Sequence, residues 1–489
     1  MKIVTADVMR REDLAATEKF NIPGIVLMEN AASETVNFME KEIGLCDKKT
    51  VVVCGGGNNG GDGLAIARKL FCKGYDVQIY TAFEREKMTD SAMTNLLSAE
   101  KLSVPFTNSL DGFDIIVEAL LGIGITGNVR ENFAEIISEI NRKNATVISV
   151  DIPAGVDSDS GDVCGTAVFA DYTVTMAYGK PGLFTGQGKM CSGKVIVADI
   201  SLPPDGCSDY YAIDKEMVDS WMPEMNMLAH KGSNGTVAVA AGSVGMTGAA
   251  ALCCMGALRN SAGIVKLFIP RNLNSIMEVK LTEAMTVPAN NDNFFRKDDA
   301  VAFLGIKADC IVIGPGIGRN KETVDFVLEI VKNSEVPVVV DADGIYALSM
   351  NIDVLKEAKS EVILTPHPGE FSRLTGVSVE EINKNRVALA KEFAQKYNVT
   401  LLLKGPGTVV AEPEGTVYIN TTGNEGMAKG GSGDVLSGII GAFVCRGALH
   451  PGALGCYVHG KAGDIAAEMH GKVSMLPSDI LNYIAEKEC

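Results

Sequence analysis

The chain repeatedly drives a short, wholly apolar run into a glycine-rich or acidic loop and then opens a helical pattern. "TVVVCGGGNNGGDGLAIARKLF" (Thr50 to Phe71) is one such passage, and "PVVVDADG" (Pro337 to Gly344) starts another. A run with no polar alternation must be buried on both faces, and a parallel sheet covered by helices meets that demand. The first half offers further runs at Asp76 to Thr81, Asp114 to Leu120, Ala145 to Asp151, "YTVTMA" and Lys194 to Ile200, preceded by helical patterns near Val8 to Phe20 and Ile25 to Ile43. The rhythm breaks in the proline-bearing stretch "SLPPDGCSDYYAIDKEMVDSWMPEMN", which has no clear strand, and restarts at "GTVAVAAG" (Gly235 to Gly242). "DCIVIGPGIG", "EVILTPHPGE" and "TLLLKGPGTVV" continue it, and a hairpin pattern joins Thr408–Glu412 to Thr416–Asn420. Two α/β domains are expected, 1–212 and 213–489, in line with a length of 489 residues.

Charge and composition narrow the partners. A net charge of −17 argues against nucleic acid and anionic membrane surfaces, which need basic patches. It leaves room for an anionic small molecule, because helix starts and a few lysines bind phosphate locally. The apolar run from Val435 ends at Arg446, too short to span a bilayer, and "MKIVTADVMRRED" lacks the apolar segment of a secretory leader. The 12 cysteines form no C-x-x-C pair and the 5 histidines no H-x-x-x-H pair, so no transition-metal site and a cytoplasmic location are expected.

The loops carry the chemistry. Gly55, Gly57 and Gly60 formally match G-x-G-x-x-G with Glu84 roughly placed as the acid, but no hydride-transfer set follows and no G-K-[ST] is present. A tight turn explains the glycines of "GGGNNGGDG" but not Asn58, Asn59 and Asp62 among them. Glu118 and Asp151 sit at strand ends, where a lone acid is either a cap or part of a converging site. "AKGGSGDVLSGIIGAF" (Ala428 to Phe443) places Asp434 among glycines at a helix start. Asp434 either caps that helix or removes a proton from something held against its N–H groups. His367 in isolation reads as a satisfied buried histidine, and Asp341 and Asp343 as caps of the next helix.

"LMENAA" (Leu27 to Ala32), "GGGNNGGDG", "GIGITG" and "DIPAGVDSDSG" together resemble the NAD(P)H-hydrate epimerase domain, a Rossmann-like parallel-sheet fold. The resemblance implies substrate contacts at Asn58, Asn59, Gly60, Gly61 and Asp62, and at Gly122, Ile123, Gly124, Ile125, Thr126, Gly127 and Asn128. It implies that Asp151 moves the proton, and that K+ sits near Asn59 and Glu118 with position 154 assisting. Glu118 stands where the family has aspartate, and Ala154 where it has a hydroxyl.

"HKGSNG", "GSVGMTGAAAL", "GPGIG", "DADG", "TPHPGE", "KGPGT" and the Asp434 loop resemble the ADP-dependent NAD(P)H-hydrate dehydratase, a ribokinase-like α/β fold. Nearly the whole chain is thereby similar to the bifunctional NAD(P)H-hydrate repair enzymes. The resemblance implies hydrated dinucleotide near Ala249, Gly316, His367 and Asp434. It implies the adenine nucleotide near Lys404, Gly405, Pro406, Gly407, Thr408 and Gly433. ADP would be the phosphoryl donor, with Mg2+ and Asp341 as a candidate to arrange it, and the assembly a homo-oligomer. Tyr346 stands where asparagine is common. Asp434 becomes the base for phosphorylation of the substrate hydroxyl. The alternative is a ribokinase-like vitamin-precursor kinase fused to a dinucleotide-binding or non-catalytic scaffold domain, since "GSGDVLSG" fits both.

Overall fold

The apolar runs become parallel strands. The computed structural model describes residues 1–125, 127–203, 208–224 and 230–484, and the chain divides into two compact units, Met1–Ala212 and Ile213–Cys489. In the first unit the strands are β1 (Lys2–Ile3), β2 (Thr50–Cys54), β3 (Val77–Thr81), β4 (Phe106–Thr107), β5 (Ile115–Ala119), β6 (Thr146–Val150), β7 (Tyr172–Met176), β8 (Lys194–Ala198) and β9 (Tyr210–Ala212). The main sheet has the order β4-β3-β2-β5-β6-β7-β8, parallel throughout. Its central strands β2 and β5 are buried on both faces: Val52 and Cys54 enter one apolar cluster, Val51 and Val53 the other. The short β9 lies inside the stretch expected to hold no strand and pairs antiparallel with β1.

Two helices precede the sheet. Ala6–Glu18 is capped by Thr5, whose hydroxyl accepts from Val8 N at 3.4 Å. Gly24–Phe38 continues into a π-helical turn, Met39–Ile43, so the longer helical pattern is one helix with an altered last turn.

The second unit adds β10 (Thr236–Ala240), β11 (Ile264–Ile269), β12 (Met285–Pro288), β13 (Cys310–Ile313), β14 (Val338–Val340), β15 (Val362–Leu364), β16 (Thr400–Leu403), β17 (Val409–Ala411) and β18 (Val417–Ile419). Within the unit they lie in the order β18-β17-β16-β15-β14-β13-β10-β11-β12. β16, β17 and β18 pair antiparallel, and the rest are parallel. β11 and β12 fall outside the expected strands, because Lys266 interrupts one run and the other is short and half exposed. The helix Ser432–Cys445 packs on Thr247–Arg259 at backbone contact: a Cβ on Gly438 would stand 2.0 Å from the Cys253 carbonyl oxygen. Cys253 and Cys254 are buried free thiols in that seam, and burial pushes Cys254 up to about 12. Among the described residues no helix is long and apolar enough to cross a membrane.

Candidate active sites

In the first sheet the connections reverse direction on either side of β2, so the loops leaving neighbouring β2 and β5 part and open a crevice. A cavity of about 1080 Å³ fills it. Asn58, Asn59, Asp62, Gly122, Ile123, Gly124, Ile125 and Asp151 line the cavity, with Arg10 and Asp13 from the first helix. Gly60 and Gly61 lie beneath the surface instead. A Cβ on Gly60 would stand 1.7 Å from the Gly55 carbonyl oxygen, so only glycine lets the helix Asn58–Cys72 start there. A Cβ on Gly122 would stand 3.5 Å from Asn59 Cβ and 3.9 Å from Asp151 Oδ2, which brings those three positions together. Gly127 and Asn128 are exposed and do not line the cavity. Thr126 lies outside the described residues.

Asp151 follows β6 in the left-handed region, with φ +68°. Its Oδ1 accepts from Lys180 Nζ at 2.5 Å, Met176 N at 3.2 Å and Thr175 Oγ1 at 3.3 Å. Lys180 is fully buried and donates also to Thr175 Oγ1 at 2.9 Å and the Met176 carbonyl at 3.2 Å. Two further carboxyls belong to this cluster. Burial, with Asp151 nearby, raises Asp13 to about 6. Burial, with Asp151 and Asp13 nearby, raises Asp62 well above the ordinary carboxyl range. Sequence reasoning missed Asp13 and Lys180. Asp13 is one charge among many in "RREDLAATEK", and Lys180 is brought to Asp151 only by the turn after β7.

The three positions expected around K+ offer different atoms. Glu118 is fully buried, and its oxygens accept from Leu120 N at 2.7 Å, Ser149 Oγ at 2.9 Å and Ala154 N at 3.0 Å. Ala154 offers that N–H and no side-chain oxygen. Burial raises Glu118 to about 7, against those bonds. Of the three residues only Asn59 has a free ligand atom, its buried Oδ1, because Nδ2 donates to the Leu121 carbonyl at 3.0 Å.

In the second unit Asp341, at the end of β14, is the hub. It accepts from Thr365 Oγ1 at 2.7 Å, Lys404 Nζ at 2.8 Å and Ser437 Oγ at 2.6 Å. Burial opposes its charge, but Lys404 and these bonds hold it below the ordinary carboxyl range. Burial likewise opposes the Lys404 ammonium, and Asp341 holds it up. Asp341 is therefore occupied by protein donors and is not a free metal ligand. Nor does it cap a helix. Asp343 does not cap one either: it accepts from Gly318 N at 3.0 Å and Arg319 Nε at 2.6 Å.

Asp434 lies in the first turn of Ser432–Cys445, whose N-cap is Gly431 with no side-chain cap bond. The capping reading of Asp434 therefore fails. No hydrogen bond reaches its carboxylate from the described residues, and burial, then the Asp341 charge, raises it to about 7. Gly433 stands over the hub: a Cβ there would be 3.3 Å from Lys404 Nζ. Lys404 to Thr408 form a turn closed by Thr408 Oγ1 donating to the Gly405 carbonyl at 3.2 Å, with Gly405 and Pro406 exposed and Gly407 buried. A Cβ on Gly316, at φ +60°, would meet Ala249 Cβ at 3.0 Å, so these two line one wall. His367 is not a buried histidine. Its side chain is 57% exposed, and Nδ1 caps the helix Pro368–Thr375, accepting from Gly369 N at 3.0 Å and Glu370 N at 3.4 Å.

Comparisons with known proteins match both units. Residues 237–486 match the NAD(P)H-hydrate dehydratase family model and residues 24–182 the YjeF-related protein N-terminus. The bifunctional NAD(P)H-hydrate repair enzyme Nnr of Moorella thermoacetica is 36% identical over 99% of this chain and 96% of its own length. The chain belongs to the bifunctional NAD(P)H-hydrate repair enzyme family. Its Escherichia coli member is 33% identical over 89% of this chain and 84% of its own. Among solved structures, the ADP/ATP-dependent NAD(P)H-hydrate dehydratase of Bacillus subtilis, co-crystallised with ATP/Mg2+, matches with TM-score 0.50 and 32% identity. It covers 56% of this chain and 96% of its own. The expected fold class, a Rossmann-like parallel-sheet unit plus a ribokinase-like one, is the one observed.

Proposed function

We propose that this repair enzyme epimerises (R)- and (S)-NAD(P)H-hydrate through residues 1–212, with Asp151 as the proton-moving group, and dehydrates the S form through residues 213–489, with Asp434 as base. The observation that carries the reading is Asp434 itself. It is a mostly buried carboxylate at about 7, with no ion pair among the described residues, at the start of a helix whose N-cap is a glycine with no side-chain cap bond. A base poised near neutral pH is what deprotonation of an alcohol requires.

Asp434 takes the proton of the C6 hydroxyl, and the oxygen attacks the terminal phosphorus of the nucleotide. The bond from that phosphorus to the nucleotide breaks, and N–H groups at the helix start balance the transferring charge. With ADP the shortened nucleotide is AMP. The ring-nitrogen lone pair then expels phosphate from C6, and loss of the C5 proton restores NAD(P)H. The nucleotide is ADP or ATP, in line with the Bacillus relative, and rests against Lys404–Thr408 and Gly433. Mg2+, where present, would neutralise charge on the nucleotide phosphates, and Asp341 stays bonded to Thr365, Lys404 and Ser437. Ala249, Gly316 and His367 border the hydrated ring.

In the first unit Lys180 fixes Asp151 at the cavity wall, while Asp13 keeps its proton to about pH 6. One carboxyl protonates the departing C6 hydroxyl, the C6–O bond breaks towards the oxygen, and the ring nitrogen stabilises the cation. Water returning to the other face gives its proton to the other carboxylate. No step passes through K+, because Glu118 and Ala154 present hydrogen-bonded or apolar atoms.

The test is a mixture of R and S hydrates with nucleotide and Mg2+, followed by the absorbance of recovered dihydronicotinamide. Wild type recovers both epimers. Asp151→Ala stops after the S form, once spontaneous epimerisation is subtracted, and Asp434→Asn recovers neither. Accumulation of a stable phosphorylated product instead would establish the kinase alternative.

A further inference from the structure

Beside Gly316 and His367 stand two guanidinium groups that the chemistry above does not use. Arg319 leaves the "GPGIG" turn with its Nε bonded to Asp343 at 2.6 Å, which fixes its stem. Its terminal nitrogens have no partner among the described residues. Its guanidinium carbon lies 5.0 Å from the centroid of the Tyr346 ring. Arg373, from the helix Pro368–Thr375 that His367 caps, lies 5.7 Å from the same ring. Arg373 is exposed, and no ion pair holds it among the described residues. One aromatic ring thus orders two cations, a geometry the planar guanidinium favours.

Their surroundings are unusual for this chain. The net charge is −17, yet around His367 the cations Lys404, Arg373 and Arg319 converge. After burial they are the groups that depress its protonation, with Asp341 acting the other way. Asp343 has spent both oxygens on Gly318 N and Arg319 Nε. Two like charges share one ring, and among the described residues no acceptor meets the terminal nitrogens of either, so both forks can receive a dianionic oxygen cluster. Phosphate fits such forks bidentately.

We propose that Arg319 and Arg373, ordered by Tyr346, form a clamp for a phosphate group of the dinucleotide substrate whose nicotinamide end lies at Asp434. This rests on the dehydratase reading of the second unit. The clamp explains why tyrosine serves at position 346: asparagine could bond a ligand but could not stack two guanidinium groups. The phosphate is either the pyrophosphate link, common to both hydrates, or the 2′-phosphate carried by the NADPH form alone.

The experiment uses the full chain with Arg373→Gln, Arg319→Gln and the double variant. Dehydration of NADH hydrate and NADPH hydrate is measured at saturating nucleotide, and NADH and NADPH binding is titrated by calorimetry. Loss of two charge-assisted contacts should raise KM for the hydrate roughly 10- to 100-fold in the double variant, with kcat nearly unchanged. The KM for ADP or ATP should stay the same. A rise for both hydrates assigns the pyrophosphate, and a rise for NADPH hydrate alone assigns the 2′-phosphate. Arg373→Lys, which keeps the charge but not the fork, should fall between. Unchanged hydrate KM, or a change confined to the nucleotide KM, overturns the clamp. Should wild type fail to dehydrate either hydrate, the dehydratase reading falls. The calorimetry then decides the clamp alone: arginine-dependent NADPH binding keeps it, and equal binding in the variants ends it.

Discussion

Asp151 and Asp434 are the candidate catalytic carboxylates of the two units, yet they are held in opposite ways. Asp151 has a buried ammonium against it, three donors on one oxygen and a left-handed backbone. Among the described residues no hydrogen-bond partner meets Asp434, and the nearby ammonium of Lys404 is committed to Asp341 instead. The first arrangement positions a carboxylate and keeps it paired. The second leaves a carboxylate reluctant to ionise and therefore hungry for a proton near neutral pH. Asp341 makes the second possible: by absorbing the cation and adding a like charge, it raises its neighbour.

The largest effect that would sharpen this contrast is Asp434→Asn. Dehydration should fall by about 10²–10⁴, the usual contribution of a positioned base, with epimerisation untouched. Stability should move the other way. The folded value of about 7 lies above the ordinary 3.8, so the contribution of Asp434 is full below about 3.8 and is lost as pH rises through about 7. Thermal melts should find the variant more stable than the parent at pH 8, with the gap closing towards pH 4. A variant that melts lower at pH 8 would break the comparison.

Lys180→Met attacks the other style of support. It leaves Asp151 unpaired in a mostly buried place and should cost about 3–5 kcal/mol in denaturant unfolding of the first unit. Epimerisation should go with it while dehydration persists. Full epimerase activity in that variant would mean the ion pair is not what holds Asp151.

The pH profiles should separate next. Dehydration should drop about tenfold per pH unit below about 7, where Asp434 takes a proton. Epimerisation should instead decline above about 6, where Asp13 loses the proton it must donate. Coincident profiles would remove one of the two assignments. The smallest effect is expected from exchanging K+ for Na+. Epimerisation should change little, because the Glu118 oxygens already accept from Leu120 N, Ser149 Oγ and Ala154 N. The double variant Glu118→Asp, Ala154→Ser should gain a dependence on K+, read as a K+-specific rise in melting temperature.

Much of the site was legible because glycine and asparagine loops are expensive without a purpose. "GGGNNGGDG" and Asp151 stand where apolar runs of the first unit end, and its parallel sheet brings such ends to one edge; the Asp434 loop stands where a helix of the second unit begins. The strands β11 and β12 were not legible, since one carries a lysine and the other is half exposed. Asp13, Lys180, Arg319 and Arg373 were hidden for a different reason. Each is a common charged residue in an ordinary helix or turn, and its meaning lies in what stands opposite.

The sequence by itself therefore determined the architecture and the positions of the glycine-rich loops, because apolar runs and glycine loops impose burial and backbone shape locally. Only the tertiary structure decided the electrostatic role of each carboxylate. Asp151, Asp341 and Asp434 are chemically alike, and a carboxyl group's protonation depends on its burial and on the charges within a few ångströms, which come from distant parts of the chain. The same holds for Glu118, whose oxygens accept from Leu120 N, Ser149 Oγ and Ala154 N, donors that only the fold brings to it.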